Sequence, residues 1–303
     1  MLMLKNMKEV ESEKIIDLKF KATFINFCVC SFIFFMSCNK PTVKVEPTIK
    51  VKLENAKSAN VEMEQKKLPH HDMKKLGLIG GTSWHSTVEY YSAINQSVND
   101  YYGNNTNPPL TVYTINQAEI HRFQKENKWD SIAFMLTNGA LSLNRGGAES
   151  VMFCANTPHK VFDKVQSQLD FPIIHIGDVT AKEILKKGIK SVGFLGTIYT
   201  MEGDFITKRI SDSAVDVLVP EKKEVLVELQ RIIEEELTYG VVKPASKKYV
   251  LKVIQSLVDR GAEGVVLGCT EFPLMIFDED LEIPVFDTTK IHSMAAVDFI
   301  LNN

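Results

Sequence analysis

Cys154 and Cys269 are the side chains in this sequence best placed to act as a matched pair. Each follows a short apolar run, SVMF before Cys154 and GVVLG before Cys269. Each run follows the same tripeptide, Gly147-Ala148-Glu149 or Gly261-Ala262-Glu263. A single free cysteine is more often a buried small hydrophobe than a reactive group, but recurrence in the same setting points to a shared task. A thiolate is a usable base when nearby donors or a helix N-terminus lower its pKa, while a partner that stays a thiol can donate a proton. Two such groups on opposite faces of one carbon would invert a stereocentre through a carbanion. Each cysteine is also expected to open a strand-to-helix turn, where free N–H groups could hold a thiolate or a substrate carboxylate.

The elements that must position the pair read as an α/β alternation. Apolar runs ending in Gly, Cys or Asn, followed by helical periodicity, predict strands at 76–80, 110–116, 150–154, 173–176, 191–196, 215–219, 264–268 and 285–287. Helices are expected over 86–101, 130–145, 158–169, 180–187, 205–210, 222–238, 245–260 and 291–301. The chain also repeats itself: Leu76-Gly77-Leu78-Ile79-Gly80 matches Val192-Gly193-Phe194-Leu195-Gly196. This step and the one between the cysteines are both about 115 residues. The fold class is therefore α/β, with two similar doubly wound parallel-sheet domains related by pseudo-twofold symmetry. The first half is assigned to 74–172 plus the C-terminal helix 290–303, and the second to 173–289. Ligands in such sheets bind beyond the strand C-termini, so both thiols are expected to face one shared cleft.

The 303 residues carry a formal net charge of -3 and 45% hydrophobic side chains, enough for one large core or two ordinary ones. Charge near balance and the lack of a basic run exclude nucleic acid as a partner and favour a small molecule. Phe24 to Ser37 is an apolar run preceded by Lys14, Lys19 and Lys21, and it ends at Ser37-Cys38. It suits the h-region of a signal peptide better than a membrane span. Residues 1–37 are therefore expected to be a lipoprotein-type signal, with Cys38 lipidated and the protein anchored to a bacterial membrane, on the periplasmic side. Phe35 in the place of Leu, and acids in the long n-region, keep a cytoplasmic protein as the alternative. Residues 38–73, rich in Lys and Glu and without an aromatic, read as a flexible linker. His70 and His71 within it are expected to be a solvated pair, not a metal site. Loss of Cys28 and Cys30 with the signal, and lipidation of Cys38, would leave only Cys154 and Cys269, too few for a structural disulfide framework.

Four motifs, in order, resemble those of the aspartate/glutamate racemase family. They are Gly80-Gly81-Thr82-Ser83-Trp84-His85-Ser86-Thr87, Cys154-Ala155-Asn156-Thr157-Pro158-His159, Gly196-Thr197 through Phe205, and Leu267-Gly268-Cys269-Thr270-Glu271. The resemblance covers the chain from about Lys74 onward. It implies cofactor-independent racemisation of a free amino acid, aspartate or glutamate first among them, with Cys154 and Cys269 as the two acid/base groups. Asn156, Thr157 and Thr270 would then hold the carboxylate and amino groups, with Thr82 and Ser83 lining the cleft. Lys208 falls where relatives carry a basic residue for an acidic side chain, and Asn116 where relatives often have an acid. Glu271 would tune Cys269 or bind the ammonium.

No pyridoxal lysine motif, dinucleotide loop or metal cluster is read from the sequence, so neither cofactor nor metal is expected. His159 could suggest a cysteine hydrolase dyad, but a hydrolase would have no use for Cys269. The remaining alternatives are a lipid-anchored amino-acid-binding protein without turnover and a hydantoin racemase or small-diacid isomerase. The two thiols are expected to stay unbridged, since a substrate carbon must fit between them, and a homodimer is compatible with this reading.

Overall fold

The computed structural model describes residues 72–302. The expected signal, Cys38, His70, His71 and nearly all of the linker lie outside the described residues. Among the described residues, no helix is long and apolar enough to cross a membrane.

The first sheet contains β1 (Leu76–Gly80), β2 (Leu110–Thr114), β3 (Ser150–Phe153) and β4 (Ile173–Ile174), in the order β2-β1-β3-β4. The second contains β5 (Ser191–Gly196), β6 (Asp216–Leu218), β7 (Gly264–Gly268) and β8 (Val285–Asp287), in the order β6-β5-β7-β8. Every pairing is parallel, and the two orders are the same permutation. The repeat in sequence is thus a repeat in topology. Parallel strands need crossovers, and helices supply them: α1 (Trp84–Tyr102), α2 (Gln117–Lys125), α3 (Trp129–Arg145), α4 (Phe162–Gln166) and α5 (Ile176–Lys186) in the first half. In the second they are α6 (Ile198–Glu202), α7 (Thr207–Ser211), α8 (Lys223–Glu235), α9 (Pro244–Val258) and α10 (Thr288–Leu301).

The equivalence extends to single contacts. Glu149 N–H donates to the Lys75 carbonyl and Glu263 N–H to the Ser191 carbonyl, each at 2.9 Å. Leu143 packs over Gly77 and Leu257 over Gly193, leaving no room for a Cβ at either glycine. These pairs fix the correspondence of β1 with β5 and of β3 with β7.

Each half sends its last helix to the other. Ala296, Val297 and Ile300 of α10 join the core of Leu76, Leu78, Tyr90 and Ile94, while Ile176, Ala181 and Ile184 of α5 join the core of the second half. Each such aliphatic side chain contributes roughly 1.5–3 kcal/mol when fully buried, so the exchange locks the halves together. Ile173 and Ile174, assigned by sequence to the second half, pair with β3. The first sheet therefore ends after Ile174.

After β1 the chain must turn sharply toward the strand ends, and Gly81 makes this turn with φ +92°. A Cβ there would run into the Ile115 carbonyl, and the Gly81 N–H donates to Thr87 Oγ1 at 3.0 Å. Only glycine fits this combination, and it delivers Thr82 and Ser83 to the mouth of the sheet.

Candidate active site

A cleft of about 770 Å³ opens where the ends of the four inner strands converge. Thr82 and Ser83 reach it after β1, Ala155, Asn156 and Thr157 after β3, Thr197 after β5, and Cys269, Thr270 and Glu271 after β7. This is where a parallel α/β sheet places its ligands.

Cys269 is on the cleft wall and only 4% exposed. Its Sγ donates to Glu271 Oε2 at 2.9 Å, and Thr270 Oγ1 donates to the same oxygen at 2.8 Å. Burial, followed by the Glu271 charge, pushes the thiol well above its ordinary pKa. At rest Cys269 is a thiol aimed at a carboxylate, so its proton has a defined acceptor.

Cys154, expected on the same cleft, is not among the residues that line it. It is 1% exposed and packs with Leu76, Leu78, Tyr90 and Met152. The reason is a register difference of one residue. Gly77 pairs with Val151 and Gly193 with Val265, so Phe153 corresponds to Leu267, Cys154 to Gly268 and Ala155 to Cys269. Side chains alternate along a strand: Val151 and Phe153 enter one core, Met152 and Cys154 the opposite one. Ala155, the positional twin of Cys269, is the residue that reaches the cleft. Burial alone pushes the Cys154 thiol far up. Both cysteines are free of disulfide.

The turns after the strands also differ from the expectation of helix N-termini. Thr157–Val161 and Phe272–Leu274 are short 3₁₀ segments, and the Cys154 N–H is taken by the Ile79 carbonyl at 2.9 Å. Asn156 is 3% exposed, donates through Nδ2 to Thr288 Oγ1 at 3.1 Å, and leaves Oδ1 buried without a partner. Thr157 Oγ1 lies 3.4 Å from Thr197 Oγ1. Ser83 caps α1, accepting from the Ser86 N–H, and the Thr82 carbonyl accepts from His121 Nε2 at 3.0 Å.

Two expected site residues lie elsewhere. Lys208 is on an exposed face of α7, bonded to both oxygens of Asp212 at 2.7 Å, and does not line the cleft. Asn116 caps α2, its Oδ1 accepting from the N–H groups of Ala118 and Glu119, and it is not among the residues lining the cleft. His159 is no hydrolase base: Nδ1 faces the Ala155 and Asn156 carbonyls, and Nε2 accepts from the Ile176 N–H.

Sequence reasoning passed over α2, which puts Gln117, His121, Gln124 and Lys125 on the cleft. Their 4-4 and 4-3 spacing is a legible helical face, and Asn116 with Glu119 three residues on is a start signal of the capping-box kind. Lys125 is the lysine on the wall, with Glu234 and Glu235 of α8 also lining the cleft.

A model of the Asp/Glu/Hydantoin racemase family matches residues 79–296. The solved structure of PH1733, an aspartate racemase homologue from Pyrococcus horikoshii OT3, is 40% identical with a TM-score of 0.66, over 75% of this chain and 99% of that one. The aspartate racemase of Picrophilus torridus has the same fold at 20% identity and a TM-score of 0.60, over 74% of this chain and 93% of that one. The broad specificity amino-acid racemase RacX of Bacillus subtilis (strain 168) is 22% identical over 171 residues, 55% of this chain and 72% of RacX.

Proposed function

We propose, from the premise that this chain belongs to the Asp/Glu/hydantoin racemase family, that it moves the α-proton of a free amino acid with Cys269 as the acid/base group on one face. The carrying observation is the Cys269 thiol held against Glu271 on the wall of a cleft at the strand ends. Burial and Glu271 hold the thiol protonated at rest, so the transfer of its proton to Glu271 needs the positive charge of the bound substrate ammonium beside it; the thiolate so formed can take the Cα proton. The C–H electron pair then spreads into the substrate carboxylate, and a proton returned to the opposite face completes inversion. That face meets Ala155, Asn156 and Thr157, where the Thr157 hydroxyl relays a proton taken from water in the open cleft, in place of a second thiol, while Glu271 gives its proton back to water.

An unequal pair of faces has a kinetic signature. Incubating the full chain with a panel of L- and D-amino acids in D2O should give α-deuteration faster than racemisation, because the Cys269 face exchanges its proton with solvent more readily than the other face delivers one. Absence of both exchange and inversion across the panel, with Cys269 shown reduced, would overturn the reading.

For the substrate side chain, Lys125 on α2 takes the place expected of Lys208 as the cation an aspartate or glutamate carboxylate would meet. Lys125→Met should raise KM for aspartate and glutamate about tenfold, equivalent to ~1.4 kcal/mol, and leave KM for alanine and serine unchanged. An equal change for all four would remove Lys125 from side-chain recognition.

A further inference from the structure

We infer that Thr288 is a positioning residue that sets which end of the Asn156 amide faces the substrate and ties the turn after β3 to the end of β7. The inference rests on the proposed amino-acid chemistry but uses a different observation, a hydrogen-bond chain outside the Cys269 group.

Thr288 opens α10 and is 0% exposed. Its hydroxyl hydrogen goes to the Leu267 carbonyl at 2.8 Å, so toward Asn156 the oxygen can only accept. The amide group facing it must therefore be the NH2, and Nδ2 lies at 3.1 Å. This orients Oδ1 the other way. Asn156 lines the cleft, and its Oδ1 is buried with no partner, a costly arrangement unless a donor arrives.

The donor that fits is the substrate ammonium. It carries three N–H groups and a positive charge, and a carboxylate would meet Oδ1 with lone pairs against lone pairs. The device thus assigns Asn156 to the amino group, leaving the carboxylate to the hydroxyl and N–H groups nearby. The chain spans from two residues after Cys154 to two residues before Cys269, so it also fixes the spacing of the two turns that form opposite sides of the cleft. Asp287 anchors the arrangement by accepting from the Thr289 and Lys290 N–H groups at 2.8 and 3.2 Å, which holds the first turn of α10 in place.

Thr288→Val keeps the shape and removes both hydrogen bonds, while Thr288→Ser keeps the hydroxyl. The full-length variants are compared by steady-state kinetics and by the side-chain amide NMR signals of Asn156, identified through Asn156→Asp. The expected result is a rise in KM of at least tenfold for Thr288→Val with a smaller fall in kcat, recovery to within about threefold in Thr288→Ser, and a displaced Asn156 NH2 signal in the valine variant only. A valine variant with KM within twofold of the parent and an unmoved Asn156 signal overturns the inference while leaving the Cys269 chemistry standing. If the parent protein turns over no amino acid, the proposed function fails, and the Asn156 signal alone decides: displaced in valine and restored in serine upholds the orientation, and unmoved in both overturns it.

Discussion

Cys269→Ala should reduce α-proton exchange and racemisation by about 10²–10⁴-fold, the usual contribution of a positioned acid/base group, while Cys154→Ala should retain most of the parent activity. The two thiols look interchangeable in sequence but do not stand in equivalent places. Cys269 touches the cleft and has Glu271 to take its proton; Cys154 is enclosed by Leu76, Leu78, Tyr90 and Met152. Its loss should appear as stability, on the order of 1 kcal/mol for a small core truncation. Chiral chromatography and deuterium uptake on the two variants, with urea midpoints alongside, separate the roles. Comparable loss of turnover in both variants, with the Cys154→Ala fold intact, would show that substrate draws Cys154 out of its packing and would restore the two-thiol mechanism. Ala155→Cys extends the test, because it places a thiol at the positional twin of Cys269. Racemisation there should rise toward the rate of deuterium exchange.

The difference between the cysteines was written in the sequence as a count. Four residues separate Glu149 from Cys154 and five separate Glu263 from Cys269. A motif comparison absorbs that extra residue without notice, but a β-strand does not, since a shift of one reverses the facing of a side chain. The strands themselves were legible: β1, β5, β7 and β8 have the bounds that their apolar runs and terminal glycines predict. Errors fell where a short polar residue ended a strand by capping a helix. Asn116 stands at the end of the predicted strand 110–116 and His175 inside the predicted strand 173–176, yet each accepts from N–H groups of the helix that follows. The role of Thr288 had no local signal, because its partners Asn156 and Leu267 are 132 and 21 residues away in the chain. Lys208 illustrates the opposite failure: a position inferred from likeness, whose side chain finds Asp212 one helical turn along instead.

Stability should fall steeply as pH drops below about 6.5, because three imidazoles are buried in their neutral form where the halves meet. His159, His175 and His292 are 1%, 3% and 0% exposed, and His159 has ring contacts with both of the others. Each has a nitrogen that must accept: His159 Nε2 from the Ile176 N–H, His175 Nδ1 from the Gly177 N–H, and His292 Nδ1 from the Tyr90 hydroxyl, at 3.3, 3.0 and 3.0 Å. A proton on the first two would set N–H against N–H. Burial is the first cause of depression in all three, taking His292 down to about 4 and holding His159 and His175 well below the ordinary imidazole value. A base depressed in the fold takes up protons more readily when unfolded, so its contribution is complete above the unfolded pKa of about 6.5 and is lost as pH falls toward the folded value. The slope is about 1.4 kcal/mol per pH unit for each histidine, so three together cost about 4 kcal/mol at pH 5.5, a large part of the 5–15 kcal/mol that holds a typical domain. Glu89 works in the other direction. Burial, Asp287 and Glu271 push its carboxyl up to about 7, so its contribution is complete below about 4.5 and is lost as pH rises through 7. It is one group with its side chain still exposed, against three enclosed ones, and the histidines should prevail. Urea midpoints at pH 7.5 and 5.5 read the difference. His175→Asn, which keeps a capping acceptor for the Gly177 N–H but cannot titrate, should remove about a third of the loss. A stability profile that is flat from pH 7.5 to 5.5 would mean that the seam admits protonated imidazoles, and that the three rings do not hold the halves together in the neutral form.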